Sequence, residues 1–192
     1  MEIILILFAY LIGSVPTGYI LGALAGVDVR KAGSGNVGAT NVARVVGKRQ
    51  GILTLIADAA KGFIPVFVAL QLDLAATATA LVAGAAFLGH LYPVFLKFQG
   101  GKGVATALGV CFGIAPAVTL ILIAIFAAVA LSSRIVSLSS MIAAAAAPVA
   151  LWLFSYAPAL VMMSACVAAM IIIRHRANIQ RLLAGTEPKI GA

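Results

Sequence analysis

Three short stretches of this chain carry chemistry that the rest of it lacks. GSGNVGATN, residues 33–41, sets three glycines among serine, asparagine and threonine, with Arg44 close behind. Glycine takes positive φ and lets backbone approach a ligand, so N–H groups can converge on an anion. A guanidinium adds a planar, two-pronged grip on phosphate, and the small polar side chains can bond phosphate or glycerol oxygens. GGKGVAT, residues 100–106, places Lys102 in a glycine turn and then opens a helical pattern, whose N-terminus favours a phosphate. This is not a Walker A loop, which needs glycine and a hydroxyl residue where the chain has Leu96 and Gly103. HRANIQRLLAGTEPK, residues 175–189, presents His175, Asn178 and Glu187 around an amphipathic helical pattern in which Ile179, Leu182 and Leu183 face lipid or protein.

Other chemistries lack their residues. There is no G-x-S-x-G nucleophile elbow, and neither histidine has an aspartate five residues on, those positions being Phe95 and Gln180. Cys111 and Cys166 lie in apolar runs and read as packing residues, and no metal or cofactor motif is present. Asp58 and Lys61, three apart on one helix face, read as a local ion pair. In SSRIVSLSS, residues 132–140, serines bond their own helix backbone, and some of them line the same cavity as the three polar stretches.

The elements that must position these residues are membrane helices. The chain is 64% hydrophobic and 9% charged, against roughly a quarter charged in a soluble domain. Its apolar runs reach the roughly 17–25 residues of a bilayer-spanning helix. The first has no basic start or clear cleavage site and reads as a retained span. Thirteen basic residues against five acids give a net charge of +8. Position matters more than the sum, because the bases fall in four groups separated by apolar chain, within 30–61, 97–102, 134 and 174–189. Basic groups prefer the cytoplasmic side. All four reach it with spans at about 3–25, 51–72, 75–95, two in 104–131, 135–154 and 157–173. The split of 104–131 is placed at Gly113-Ile114-Ala115-Pro116, since proline disfavours helix at the residue before it. The expectation is an all-α integral membrane protein, one domain over 1–192, with seven transmembrane helices, N-terminus outside and C-terminus cytoplasmic. Residues 30–49, 89–106 and 174–189 then meet on one cytoplasmic face.

KAGSGNVGATNVAR, GHLYPVFLKFQGGKGVAT and HRANIQRLLAGTEPK together resemble the three cytoplasmic motifs of the bacterial acyl-phosphate:glycerol-3-phosphate acyltransferases, the PlsY family. The resemblance extends over essentially the whole chain. It implies transfer of a fatty acyl group from acyl phosphate to sn-glycerol 3-phosphate, giving lysophosphatidic acid and phosphate, in the bacterial inner membrane. It also implies roles. Ser34, Asn36, Thr40, Asn41 and Arg44 form the first motif, with Ser34 and Arg44 orienting phosphate-bearing substrate. Gly100, Gly101, Lys102 and Gly103 hold the glycerol 3-phosphate phosphate. His175 and Asn178 line the reaction centre, Glu187 supports the third motif, and Ser139 or Ser140 lends a hydroxyl. The implied partners are the two substrates and membrane lipid, without nucleic acid or cofactor, around a monomer.

An acyl phosphate is already activated, so no covalent enzyme intermediate is needed. The attacking hydroxyl must lose a proton, and two acceptors stand open: His175 and a phosphate oxygen of the substrate. The second is favoured, with the protein positioning two phosphates and neutralising their charge through Arg44, Lys102 and a later arginine. Three rival readings fit less well. A transporter places polar groups near the midplane in related halves. A lipid scaffold explains the charge but not the glycine, asparagine and serine. A metal-dependent alcohol phosphotransferase needs clustered aspartates, and Asp58 and Asp73 stand apart.

Overall fold

The computed structural model describes residues 1–191, and among these the regular structure is entirely helical. In chain order the helices are α1 (Glu2–Gly13), α2 (Thr17–Leu24), α3 (Ala39–Val45), α4 (Lys48–Gln71), α5 (Ala76–Leu91), α6 (Val104–Ile114), α7 (Pro116–Ser133), α8 (Val136–Leu153), α9 (Pro158–Arg174) and α10 (Arg176–Leu183), with a 3-10 turn at Val94–Leu96. Five stretches of the described residues are long and apolar enough to cross a bilayer: Glu2–Leu24, Lys48–Gln71, Ala76–Leu96, Pro116–Ser133 and Val136–Leu153. The pair α9 and α10, bent by 58°, makes a sixth if taken as one span. α6 is apolar but, at 11 residues, shorter than a crossing. The chain is therefore a multi-pass helical membrane protein.

The break expected in 104–131 is present: α6 ends at Ile114, Ala115 leaves the helical region at φ −145°, and Pro116 opens α7. The first span, expected at about 3–25, is present as Glu2–Leu24 but is built from two helices, Ser14–Pro16 separating α1 from α2. Within the polar segment 30–49, residues 39–45 form the helix α3. Proline alone does not decide such breaks, since Pro65 and Pro148 lie inside unbroken α4 and α8.

The helices divide into two compact units, Met1–Ile114 and Ala115–Ala192. In the first, small residues bring helices into backbone contact. A Cβ on Gly13 would strike the Ala86 carbonyl, and one on Gly89 the Tyr10 carbonyl, so α1 and α5 touch through both glycines. Gly62 and Gly109 do the same for α4 and α6, against the Thr106 and Ala59 carbonyls. Leu5, Ala9, Ala69, Val82, Ala85 and Ala86 fill the core between α1, α4 and α5. A second core of Val29, Val37, Val42 and Leu96 lies under the 26–38 loop and α3. In the second unit α7, α8 and α9 pack as consecutive neighbours, and α10 turns away at His175. There the backbone of Arg134 accepts from Ile190 N–H (2.7 Å), while its guanidinium donates to the Ile190 carbonyl (2.9 Å).

Candidate active site

In the first unit, one buried side chain shapes the 33–41 loop. Asn41 is 2% exposed. Its Nδ2 lies within hydrogen-bond reach of the carbonyls of Val29 (3.0 Å), Ala32 (3.1 Å) and Asn36 (2.8 Å), and its Oδ1 accepts from Ser34 N–H (2.8 Å). A loop rich in glycine has little intrinsic shape, and one carboxamide gathers it. Asn41 therefore holds the loop. Asn36 closes a smaller turn, its Oδ1 accepting from Gly38 N–H (2.7 Å) where α3 begins. Gly33, at φ +59°, packs against Asn41 Oδ1 so closely that a Cβ there would collide with it. The side chains that face outward are Ser34, Thr40 and Arg44. Thr40 and Arg44, four apart on α3, share a face.

The glycine–lysine turn is docked on the end of α5. Gly100 N–H donates to the Leu91 carbonyl (3.1 Å) and Gly101 N–H to the His90 carbonyl (3.2 Å). These two bonds secure the turn. Lys102, next in the chain, is half-buried, and Gly103 leads into the N-terminal end of α6, a position that favours a phosphate. Gly103 takes φ +86° with its Cα against the Phe87 ring, a place no side chain fits. The first two polar segments are brought together within this unit. Leu96 packs on Val37 and Val42, and a cleft is lined by Ser14, Thr17, Val37, Asp58, Lys61 and His90.

In the second unit, Glu187 organises the third segment. Its Oε1 accepts from Ser137 Oγ (2.7 Å) and Asn178 Nδ2 (2.5 Å), and its Oε2 from Arg181 Nε (2.7 Å). Partial burial pushes this carboxyl up, but the hydrogen bonds from Ser137, Asn178 and Arg181 outweigh it and hold the group below its ordinary range. His175, buried at the bend between α9 and α10, has Nδ1 2.8 Å from the Ile171 carbonyl. A carbonyl only accepts, so Nδ1 carries the proton and Nε2 is the basic nitrogen of the neutral ring. Ser139 and Ser140 donate to their own helix, at the Ile135 and Val136 carbonyls (2.8 Å each). That leaves the Ser140 hydroxyl only acceptor capacity for a substrate.

Sequence reasoning missed Ser137 and Arg181 as partners of Glu187. Ser137 lies fifty residues from Glu187, with no local signal; Arg181 lies six away and was readable. Among the described residues, no three His, Cys, Asp or Glu side chains gather as a metal-holding group.

The glycerol-3-phosphate acyltransferase family model matches residues 3–185. A glycerol-3-phosphate acyltransferase of Geotalea daltonii is 53% identical over 186 residues, covering 97% of this chain and 96% of that one. Another, from Geobacter sulfurreducens, is 49% identical and covers 100% and 98%. The fold is also similar to two crystal structures of PlsY, an integral membrane glycerol 3-phosphate acyltransferase. The glycerol 3-phosphate form gives a TM-score of 0.97 at 44% identity, covering 99% of this chain and 96% of that one. The lysophosphatidic acid form gives 0.94 at 43% identity, covering 99% and 95%.

Proposed function

Because the chain belongs to the glycerol-3-phosphate acyltransferase family, we propose that its acyl donor is an acyl phosphate and that the reaction takes place at the cytoplasmic face of the bacterial inner membrane. The chain transfers an acyl group to glycerol 3-phosphate, giving lysophosphatidic acid. The donor's fatty tail stays in lipid while its phosphate reaches the aqueous edge, which is why the enzyme is a membrane protein. Seven spans, with the N-terminus outside and the C-terminus inside, would put every Lys and Arg on the cytoplasmic side. A single copy of the chain suffices.

One observation carries the chemistry: a glycine–lysine turn, pinned to the end of α5 and opening α6, beside a carboxamide-closed loop that presents Ser34, Thr40 and Arg44. Lys102 and the start of α6 hold the phosphate of glycerol 3-phosphate. Arg44 and Ser34 orient the donor phosphate, and Thr40 and Asn36 border that site. The terminal hydroxyl of glycerol 3-phosphate attacks the acyl carbonyl, a new ester C–O bond forms, and the carbonyl–phosphate C–O bond breaks. The departing phosphate takes the hydroxyl proton, so atoms and charge balance without a protein base. His175 and Asn178 line the reaction centre, where Nε2 of His175 accepts a hydrogen bond that orients a substrate hydroxyl without carrying its proton away. Positioning and charge neutralisation do the rest.

The test supplies purified protein in lipid with glycerol 3-phosphate and either palmitoyl phosphate or palmitoyl-coenzyme A, alongside a Lys102→Ala variant. Lysophosphatidic acid from the acyl phosphate alone, lost in the variant, is the expected result. Product from the coenzyme A ester alone would overturn the donor. For His175, a variant that loses about 10²–10⁴-fold in turnover with unchanged glycerol-phosphate affinity would make it the base after all.

A further inference from the structure

α4 is an apolar span that nonetheless buries two opposite charges, Asp58 at 2% and Lys61 at 6% exposure. Their heads are 2.8 Å apart. A lone i, i+3 pair would need no more than each other, but this one reaches further. Lys61 Nζ also donates to the Val15 carbonyl (2.9 Å), at the Ser14–Pro16 break between α1 and α2. Asp58 Oδ1 lies 3.8 Å from Nδ1 of His90, which is 5% exposed in the last turn of α5. The His90 carbonyl accepts from Gly101 N–H, and its ring lies so close to the Gly101 Cα that a Cβ there would strike Nε2. Neighbouring buried side chains thus lie one after another from the α1–α2 break, through α4, to the underside of the glycine–lysine turn, bonded at Lys61 and in packing contact between Asp58 and His90. Ionisable groups in a membrane segment are costly to retain and mark function more often than stability.

We propose that Asp58, Lys61 and His90 are positioning residues for the glycerol 3-phosphate phosphate: they fix the Gly100–Gly101 turn and so set where Lys102 stands. This rests on the reading of that turn as the phosphate holder. It differs from a merely structural ion pair in what it governs. A structural pair supports the whole first unit, and its loss depresses turnover and both substrates' affinities together. The positioning chain acts on one substrate.

The variants remove the chain without leaving an orphan charge: Asp58→Asn together with Lys61→Met in one protein, and His90→Leu in another. Each is assayed in lipid, varying glycerol 3-phosphate at saturating palmitoyl phosphate and then the reverse, with thermal unfolding measured in the same lipid. The expected result is a KM for glycerol 3-phosphate raised at least about tenfold, with kcat and the KM for palmitoyl phosphate within about threefold. Folded variants with an unchanged KM for glycerol 3-phosphate, or a parallel loss in all three quantities, overturn the proposal. Where the paired variant does not fold, His90→Leu decides by the same criteria. Lys102→Ala separates the two readings. If it leaves the glycerol 3-phosphate KM unchanged, the phosphate reading of the turn falls and the positioning proposal with it. If it raises that KM while the other variants do not, only the positioning proposal falls.

Discussion

The 33–41 loop and the 174–189 segment are both held by a single side chain, but by opposite means. Asn41 is neutral and gathers backbone: three carbonyls and one N–H, all within twelve residues of itself. Glu187 is charged and gathers side chains, Ser137, Asn178 and Arg181, from another helix as well as its own neighbourhood. The difference follows from what each must hold. A glycine-rich loop has few side chains to grip, so only a group that both donates and accepts can close it. A bend between two helices already has its backbone bonded, so what remains is to join side chains across elements, which a carboxylate with two acceptor oxygens does.

The largest expected effect breaks the neutral device. Asn41→Ala leaves the buried Val29 carbonyl without this partner and three part-buried backbone groups to water, a cost of about 1–3 kcal/mol for the one group that water cannot reach. Acyltransfer should fall at least about a hundredfold, measured with thermal unfolding in the same lipid. Asn41→Asp should be no better, because a carboxylate has no hydrogen to donate to the carbonyls around it; near-normal activity in that variant would sink the account of the loop.

Next comes Glu187→Gln. It keeps an acceptor for Ser137 and Asn178 but sets an amide N–H against Arg181. The expected loss is about 1–2 kcal/mol, with a smaller fall in activity than Asn41→Ala gives. If the order of the two variants reverses, the charged device matters more than the neutral one.

Acid sharpens the contrast. Glu187 is held below its ordinary range in the folded chain, so its contribution is fully present above the ordinary carboxyl pKa of about 4.3 and is lost as pH falls through the depressed folded value. Asn41 does not titrate. Hydrogen exchange between pH 6 and 3.5 should therefore show 174–189 loosening at the acid end while 33–41 keeps its relative protection. Glu187→Gln should remove that difference.

The smallest effect isolates burial from charge. Asp28 and Arg30 form a 3.0 Å ion pair just before the loop, with the guanidinium 4.4 Å over the Tyr19 ring, all at the surface. Solvent screens such pairs. Asp28→Asn should leave the unfolding temperature and activity unchanged within error, and a clear loss would mean that charge near the first loop matters even when exposed.

The sequence by itself determined the membrane class, the three polar segments and their chemical types, and the break at Pro116. Each is local: an apolar run, a cluster of glycines with a cation, a proline without an N–H. It also marked Ser34, Arg44 and Lys102, which the fold leaves at least partly accessible to a ligand. Only the tertiary structure decided which groups hold and which groups reach. It placed Asn41 inside its own loop, turned two N–H groups of the glycine turn back onto α5, and set Ser137 against Glu187. It also broke the first span at Pro16 while letting Pro65 and Pro148 pass inside helices. The reason is the same throughout. A hydrogen bond or a backbone contact between distant residues depends on where packing brings them, and no spacing along the chain encodes that.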